Sequence, residues 1–167
     1  YTDNHNSDFT HRLLKKYKID IAILGGTGII KEKTISIPKI GVINTHPGLL
    51  PDYRGCSAVE WSLYNNYPVG ATCHFVTLEI DAGDIIVSVK AKIHSGDNYA
   101  IVRLKLYNLQ ADVLIAGLKI LQFYDYKKYI KSNIGGNYYH PIGEKELSSV
   151  KKMLINKKYK HYEKNTD

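Results

Sequence analysis

Short apolar runs alternate along the chain with stretches whose apolar residues recur every three to four positions. The apolar runs are typical of strands and cover residues 19–24, 41–44, 70–78 and 84–93. The helical spacing predicts helices over residues 9–17, 56–65, 99–123 and 144–154. Ser7 or Asp8 can cap the first helix, and Asp97 can cap the long one. Strands that alternate with helices predict an α/β fold with a partly parallel sheet.

The start and the end of the chain differ from this pattern. Tyr1 enters without a starting strand, whereas a doubly wound domain normally begins with one. We therefore expect the amino-terminal strands of the domain to be missing. After the long helix the chain becomes basic and rich in tyrosine. The pattern predicts a main domain over residues 1–125 and a C-terminal extension, with a short helix, over residues 126–167.

Composition narrows the class of protein. The 167 residues are 44% hydrophobic, which suits one domain with a packed core. The formal net charge of +7 comes mostly from lysine, so it indicates a solvated surface rather than a nucleic-acid site. Neither a membrane-spanning run nor a signal peptide is visible, and the two cysteines form no disulfide framework. We expect a cytoplasmic protein that binds neither membrane nor nucleic acid.

Residues 44–55, with the sequence NTHPGLLPDYRG, carry the clearest candidate chemistry. They follow a predicted strand, and side chains two positions apart in an extended segment point the same way. Asn44 and His46 can therefore face one reacting atom. Asp81 follows Asn44 by 37 positions and can supply a carboxylate. The alternative is a structural pair at a strand end, with Asp81 shaping the turn that follows it.

Other polar features leave both a functional and a structural interpretation open. The run GGTG at residues 25–28 can cradle a phosphate through its backbone N–H groups, or it can be a plain strand-exit turn. His74 lies in an alternating strand, so it faces either the core or a site. The histidines and cysteines show no metal-ligand spacing, and we expect no metal.

Four segments together resemble the signature of the folate-dependent formyltransferases. They are residues 44–51 (NTHPGLLP), 53–55 (YRG), 70–76 (GATCHFV) and 80–86 (IDAGDII). The similarity covers residues 20–93. The first two segments form one motif and the last two form another, and the expected separation of these two linked motifs makes the similarity specific. The resemblance implies a Rossmann-like formyltransferase fold that lacks its first strands. It also implies a one-carbon transferase that uses N10-formyltetrahydrofolate as co-substrate.

The resemblance assigns roles to particular residues. It implies that Asn44, His46 and Asp81 are catalytic and that the Leu50–Pro51 bond is cis. It also implies that residues 26–30 and 76–81 hold the pterin. The individual cofactor-binding residues are then Gly28, Ile30, Val76, Leu78 and Asp81.

These residue types suit the chemistry of formyl transfer. Attack of an amine on the formyl carbon produces an oxyanion, which Asn44 and a protonated or donating His46 can stabilise. Asp81 can keep His46 charged and can relay a proton to the departing folate nitrogen. No metal ion is needed for this reaction.

The identity of the acceptor amine is less determined. The YRG motif with Trp61 resembles the sugar-amine and tRNA branches of the family, and about forty residues after the long helix are too few for the tRNA branch's β-barrel. A nucleotide-linked amino sugar is thus the preferred small-molecule acceptor. Glycinamide ribonucleotide transfer, formyltetrahydrofolate hydrolysis and a degenerate folate-binding domain are the alternatives. Whether the chain assembles into a homo-oligomer stays open.

Overall fold

The computed structural model describes residues 1–2 and 4–163. Its helices are α1 Asp8–Lys16, α2 Glu32–Ile35, α3 Ala58–Tyr64, α4 Tyr99–Phe123 and α5 Glu144–Ile155, with a 3₁₀ turn at Tyr126–Lys128. Its strands are β1 Ile21–Ile23, β2 Gly41–His46, β3 Tyr53–Gly55, β4 Gly70–Phe75, β5 Ile85–Lys90 and β6 Asn137–Tyr139. Residues 164–167 of the predicted extension lie outside the described residues.

The four strands predicted from the apolar runs form one sheet, so the α/β prediction is confirmed. The strand order is β1-β2-β4-β5, with β1 parallel to β2 and the other neighbours antiparallel. Two three-residue strands that the pattern did not predict, β3 and β6, pair in parallel as a separate small sheet. Because β2 and β4 are antiparallel, the loops that follow them begin at opposite ends of this strand pair.

The core lies between the main sheet and α4. Ile43, Ala71, Cys73 and Val113 are fully or almost fully buried there. Gly117 allows this close approach, because a Cβ at this position would lie 2.6 Å from the Cys73 sulfur. The long helix therefore packs directly on β4 and holds the sheet beneath the site.

A second apolar cluster joins the C-terminal segment to the rest of the molecule. Val150, Leu154 and Tyr159 are buried against residues of α3 and α4, including Leu63 and Leu106. Strand β6, from the same segment, pairs with β3. The boundary at residue 125 stays a prediction, but residues 126–163 pack closely against the preceding ones.

The helix caps show where local sequence signals were ambiguous. Ser7 caps α1 by accepting the backbone N–H of Thr10. The prediction that Asp97 caps α4 is wrong, because Asn98 is the capping residue and accepts the N–H of Ile101 at 3.0 Å. The Asp97 carboxylate instead accepts the His94 N–H and pairs with a lysine, so it closes the turn before the helix.

No helix within residues 1–2 and 4–163 combines the length and apolar character needed to cross a membrane.

Candidate active site

The end of β2 brings the first two candidate side chains to the centre of the sheet. Asn44 lies opposite His74 in the antiparallel pair of β2 with β4. His46 is only 5% exposed, and its Nε2 donates to the backbone oxygen of Tyr53 at 2.7 Å. No described residue makes a hydrogen bond with the Asn44 side-chain amide. That amide is therefore available to a ligand.

The loop after β2 turns back on itself so that Tyr53 can reach His46. Its Leu50–Pro51 bond is cis, as the resemblance implied. The buried Thr72 hydroxyl on β4 donates to the backbone oxygen of Gly48 at 2.7 Å and accepts the N–H of Leu50 at 3.2 Å. One side chain thus fixes the loop through two backbone groups.

Asp81 lies between two histidines. Its Oδ2 is 3.3 Å from Nδ1 of His46, and its Oδ1 is 3.6 Å from Nε2 of His74. The backbone N–H of Gly55 donates to Oδ2 at 3.0 Å. The structure therefore brings the three residues predicted to be catalytic into one region and adds His74, whose position the sequence left open.

Burial and the Asp81 carboxylate act in opposite directions on the two imidazoles. Burial lowers the pKa of His46 and the pKa of His74 by more than Asp81 raises them. Asp81 thus favours the charged form of His46 while the loss of hydration opposes it, and the role of Asp81 in keeping His46 charged stays a prediction.

The hydrogen bonds restrict where protons can lie in this cluster. His46 carries a proton on Nε2, because the Tyr53 carbonyl can only accept one. Nδ1 of the same ring faces Oδ2 of Asp81 at 3.3 Å. A proton can therefore pass between the imidazole and the carboxyl group across this contact.

Arg54 fixes the loop that carries Asp81. Its guanidinium donates to the backbone oxygen of Ile80 at 2.9 and 3.2 Å and pairs with Glu79 at 2.6 Å. The Arg54 side chain is only 12% exposed, so water competes little for its hydrogen bonds. The YRG motif therefore has a structural explanation that the sequence alone did not supply: its arginine holds the turn before Asp81.

A cleft of about 270 Å³ opens beside these residues. It is lined by Asn44, His74 and Asp81 together with loops from two directions. All five residues predicted to bind the cofactor line it: Gly28, Ile30, Val76, Leu78 and Asp81. His46 is not among its lining residues, and the statement that Asn44 and His46 face one reacting atom stays a prediction. The His46 ring is engaged by Tyr53 and Asp81 instead.

The N-terminal segment holds one side of this cleft. Asn6 donates from its amide to the backbone oxygen of Ile29 at 2.9 Å and accepts the N–H of Lys31 at 2.8 Å. His5 lies 3.2 Å from the same Ile29 oxygen. Sequence reasoning missed this contact because more than twenty residues separate Asn6 from the loop it fixes.

Among the described residues, metal-binding groups and cysteines, the other side chains that could carry chemistry, do not contribute to this site. Within residues 1–2 and 4–163, His, Cys, Asp and Glu side chains form no group that could hold a metal ion. Both cysteines are free, and burial raises the pKa of Cys73 to about 12, so its thiol stays protonated. The chemistry of the cleft therefore depends on its amide, imidazoles and carboxyl group.

The sequence matches a known family model. The model described as formyl transferase covers residues 2–118, which is more than half of the chain. The chain belongs to the formyl transferase family. The folate-dependent formyltransferase resemblance stated from the motifs is thereby confirmed.

Individual family members resemble this formyl transferase chain to different degrees. Methionyl-tRNA formyltransferase of Syntrophus aciditrophicus is 33% identical over 112 residues, covering 66% of this chain and 36% of that protein. The formyltransferase PseJ from Anoxybacillus kamchatkensis, solved with UDP-4,6-dideoxy-4-formamido-L-AltNAc and tetrahydrofolate, has a TM-score of 0.65 at 23% identity. That match covers 87% of this chain and 75% of PseJ, and it shows that the fold is shared.

A third relative belongs to another branch. Phosphoribosylglycinamide formyltransferase from Bacillus halodurans has a TM-score of 0.61 at 25% identity and covers 74% of this chain and 64% of that one. The predicted formyltransferase fold is confirmed by these structures. The chain spans about a third of the length of the curated relatives it matches.

Proposed function

We propose that this chain transfers a formyl group from N10-formyltetrahydrofolate to the primary amine of a small molecule. The observation that carries the proposal is the convergence on one cleft. Asn44, His74 and Asp81 line the same cleft as both segments that the family resemblance assigns to the pterin. A purely structural strand-end pair would not need an amide, an imidazole and a carboxyl group on one ligand-sized cavity.

The cleft suits a flat, partly apolar ring. Leu24, Ile30 and Val76 supply apolar surface, and the loop of residues 27–30 supplies backbone groups. Small-molecule sites commonly combine an apolar lining with a few fixed polar groups. In our proposal the pterin lies between the two loops, with its formyl-bearing nitrogen directed toward Asn44 and Asp81.

The reaction then proceeds by addition and elimination. The acceptor amine forms a new N–C bond to the formyl carbon, and the carbonyl oxygen becomes an oxyanion. The Asn44 amide donates to that oxygen, and one such donor contributes about 10²–10³ in rate. The N10–C bond then breaks, one proton leaves the acceptor nitrogen, and one proton is delivered to N10, so the products are a formamide and tetrahydrofolate.

Asp81 is the group placed to handle the proton. Its carboxyl group lines the cleft, and its Oδ2 lies 3.3 Å from Nδ1 of His46. Since both nitrogens of His46 are engaged, we assign that ring the role of proton store behind Asp81. His74 donates through Nδ1 to the Phe75 oxygen at 2.8 Å, which leaves its buried Nε2 without a hydrogen-bond partner in the described residues. We assign that Nε2 to the substrate side of Asp81.

The preferred acceptor is a nucleotide-linked amino sugar. The YRG motif with Trp61 supports it, as does the shared fold with PseJ, whose crystal contains a formamido sugar nucleotide. Glycinamide ribonucleotide is the second candidate, because the Bacillus halodurans enzyme shares the fold at 25% identity. A cytoplasmic setting belongs to the same proposal and agrees with two free cysteines.

The test is formyl transfer by purified protein to a panel of amines. The panel includes amino-sugar nucleotides, glycinamide ribonucleotide and methionyl-tRNA, with tetrahydrofolate release and formamide formation both measured. We expect formamide only with an amino-sugar nucleotide, and loss of that product in Asn44→Ala. Release of tetrahydrofolate that does not depend on an amine would identify a hydrolase. Binding of a folate analogue without any turnover would identify a folate-binding domain.

A further inference from the structure

The segment of residues 131–139, here called the crossing segment, lies beyond the part that matches the family model. It contacts both loops of the site. Lys131 exchanges two backbone hydrogen bonds with Ile85, at 2.8 and 2.9 Å, just after the Asp81 turn. Further on, β6 pairs with β3, which holds Arg54 and Gly55. The crossing segment therefore joins the two loops whose meeting defines the site.

Asn133 is the residue of the crossing segment that contacts the Asp81 turn through its side chain. It is 5% exposed, and its Nδ2 donates to the backbone oxygen of Asp81 at 2.9 Å and to that of Gly83 at 2.8 Å. Both protons of the amide are thus used on one turn. A single side-chain amide therefore ties two carbonyl groups of the turn to the crossing segment.

The turn needs such a restraint. Asp81 has φ of +50°, a left-handed conformation that residues with a side chain hold only when their surroundings enforce it. Gly83 lies so close to β4 that a Cβ there would be 1.9 Å from the backbone oxygen of Phe75. Arg54 fixes the turn before Asp81, through Ile80, and Asn133 fixes it at and after Asp81.

We propose that Asn133 is a positioning residue that holds the Asp81 carboxyl group against His46 and His74, so that the crossing segment completes the active site. The proposal rests on the proposed formyl transfer for its kinetic readout. It differs from a purely structural role because it specifies which distances change when Asn133 is lost. A simple packing role would alter stability and leave the relation of Asp81 to the two histidines intact.

The experiment compares Asn133→Ala with Ser132→Ala, an exposed neighbour in the crossing segment. Displacement of a reacting group by about 1 Å can cost on the order of 10²-fold in rate. We expect kcat of Asn133→Ala to fall about 10- to 100-fold, with a smaller change in the KM for the folate. Ser132→Ala should match the wild type. If Asn133→Ala does not fold, Asn133→Asp has the same shape but cannot donate to the two oxygens, and it takes the place of the alanine variant.

A second readout does not depend on turnover. The ring protons of His46 and His74, followed by NMR as the pH changes, report how closely Asp81 approaches them. Because Asp81 raises the pKa of both rings, a displaced carboxyl group should shift their titration to lower pH in Asn133→Ala and not in Ser132→Ala. If the wild type transfers no formyl group, this shift still supports the positioning role. Unchanged titration, or an unchanged kcat in a folded variant of an active enzyme, would overturn it.

Discussion

Replacement of Asp81 by asparagine separates the charge of this side chain from its shape. Asparagine has nearly the same size, so the side chain, 11% exposed in the wild type, can keep its place. The substitution removes the negative charge 3.3 Å from Nδ1 of His46. Opposite unit charges at that distance attract by about 5 kcal/mol at an effective dielectric constant of about 20. The cost of burying an ion is also several kcal/mol, so the Asp81 carboxylate offsets much of the penalty of burying a charged His46.

Two results follow for Asp81→Asn. The pKa of His46 should fall further, because burial is then opposed only by the Tyr53 carbonyl. Formyl transfer should slow by about 10²–10⁴, or roughly 3–5 kcal/mol of barrier, because the carboxyl group that transfers the proton at the cleft is lost. Single-turnover release of tetrahydrofolate measures the rate, and NMR titration of the His46 ring measures the pKa.

Asp84→Asn is the matched control. Asp84 is an exposed residue of the same loop, and only its backbone oxygen contributes to the sheet, through the N–H of Phe75. It should leave both the rate and the histidine titration unchanged. Wild-type turnover in a folded Asp81→Asn variant would refute the role of this carboxyl group in proton transfer.

Three further predictions concern stability and binding. Burial lowers the pKa values of His46 and His74 below 6.5, so the unfolded chain binds more protons than the folded chain as the pH falls below 6.5. The stability that comes from folding with neutral rings is fully present above pH 6.5 and is lost as the pH falls toward the folded-state pKa values. Thermal unfolding measured from about pH 8 to about pH 5 should show this loss. Asn6→Ala should weaken binding of a folate analogue about 10-fold in isothermal titration. The Asn6 amide donates to the Ile29 oxygen and accepts the Lys31 N–H, so its loss frees the cleft loop at two backbone groups. Gly117→Ala should lower the free energy of unfolding in urea by about 1–3 kcal/mol, because the new methyl group meets the Cys73 sulfur at 2.6 Å; a change below 0.5 kcal/mol would contradict this packing.

The apolar pattern predicted the main sheet and α4, because these elements lie in apolar runs or have a visible helical periodicity. It missed α2, β3 and β6, which have only three or four residues each. Strands β3 and β6 form because they pair with each other, for example Tyr53 with Asn137. The two strands are far apart in sequence, so a local pattern cannot predict their pairing. Short elements that depend on distant partners are therefore beyond what periodicity can show.

The candidate site likewise combines residues that local motifs predicted with residues that only the fold brings to it. Motif spacing led to Asn44, His46 and Asp81, and the fold brings them together as neighbours. The sequence did not show that burial opposes a charge on His46, because burial is a property of the tertiary structure. Arg54 and Asn133 act on backbone oxygens of a distant turn, and such contacts leave no pattern in the local sequence.

The most direct measurement is a crystal structure of the protein with a stable 10-formyl folate analogue. We predict the pterin between residues 27–30 and 76–81, and the formyl oxygen about 3 Å from Nδ2 of Asn44. The nitrogen that carries the formyl group should face the Asp81 carboxyl group. An analogue bound outside this cleft, or bound with its formyl group directed away from Asn44 and Asp81, would contradict the account.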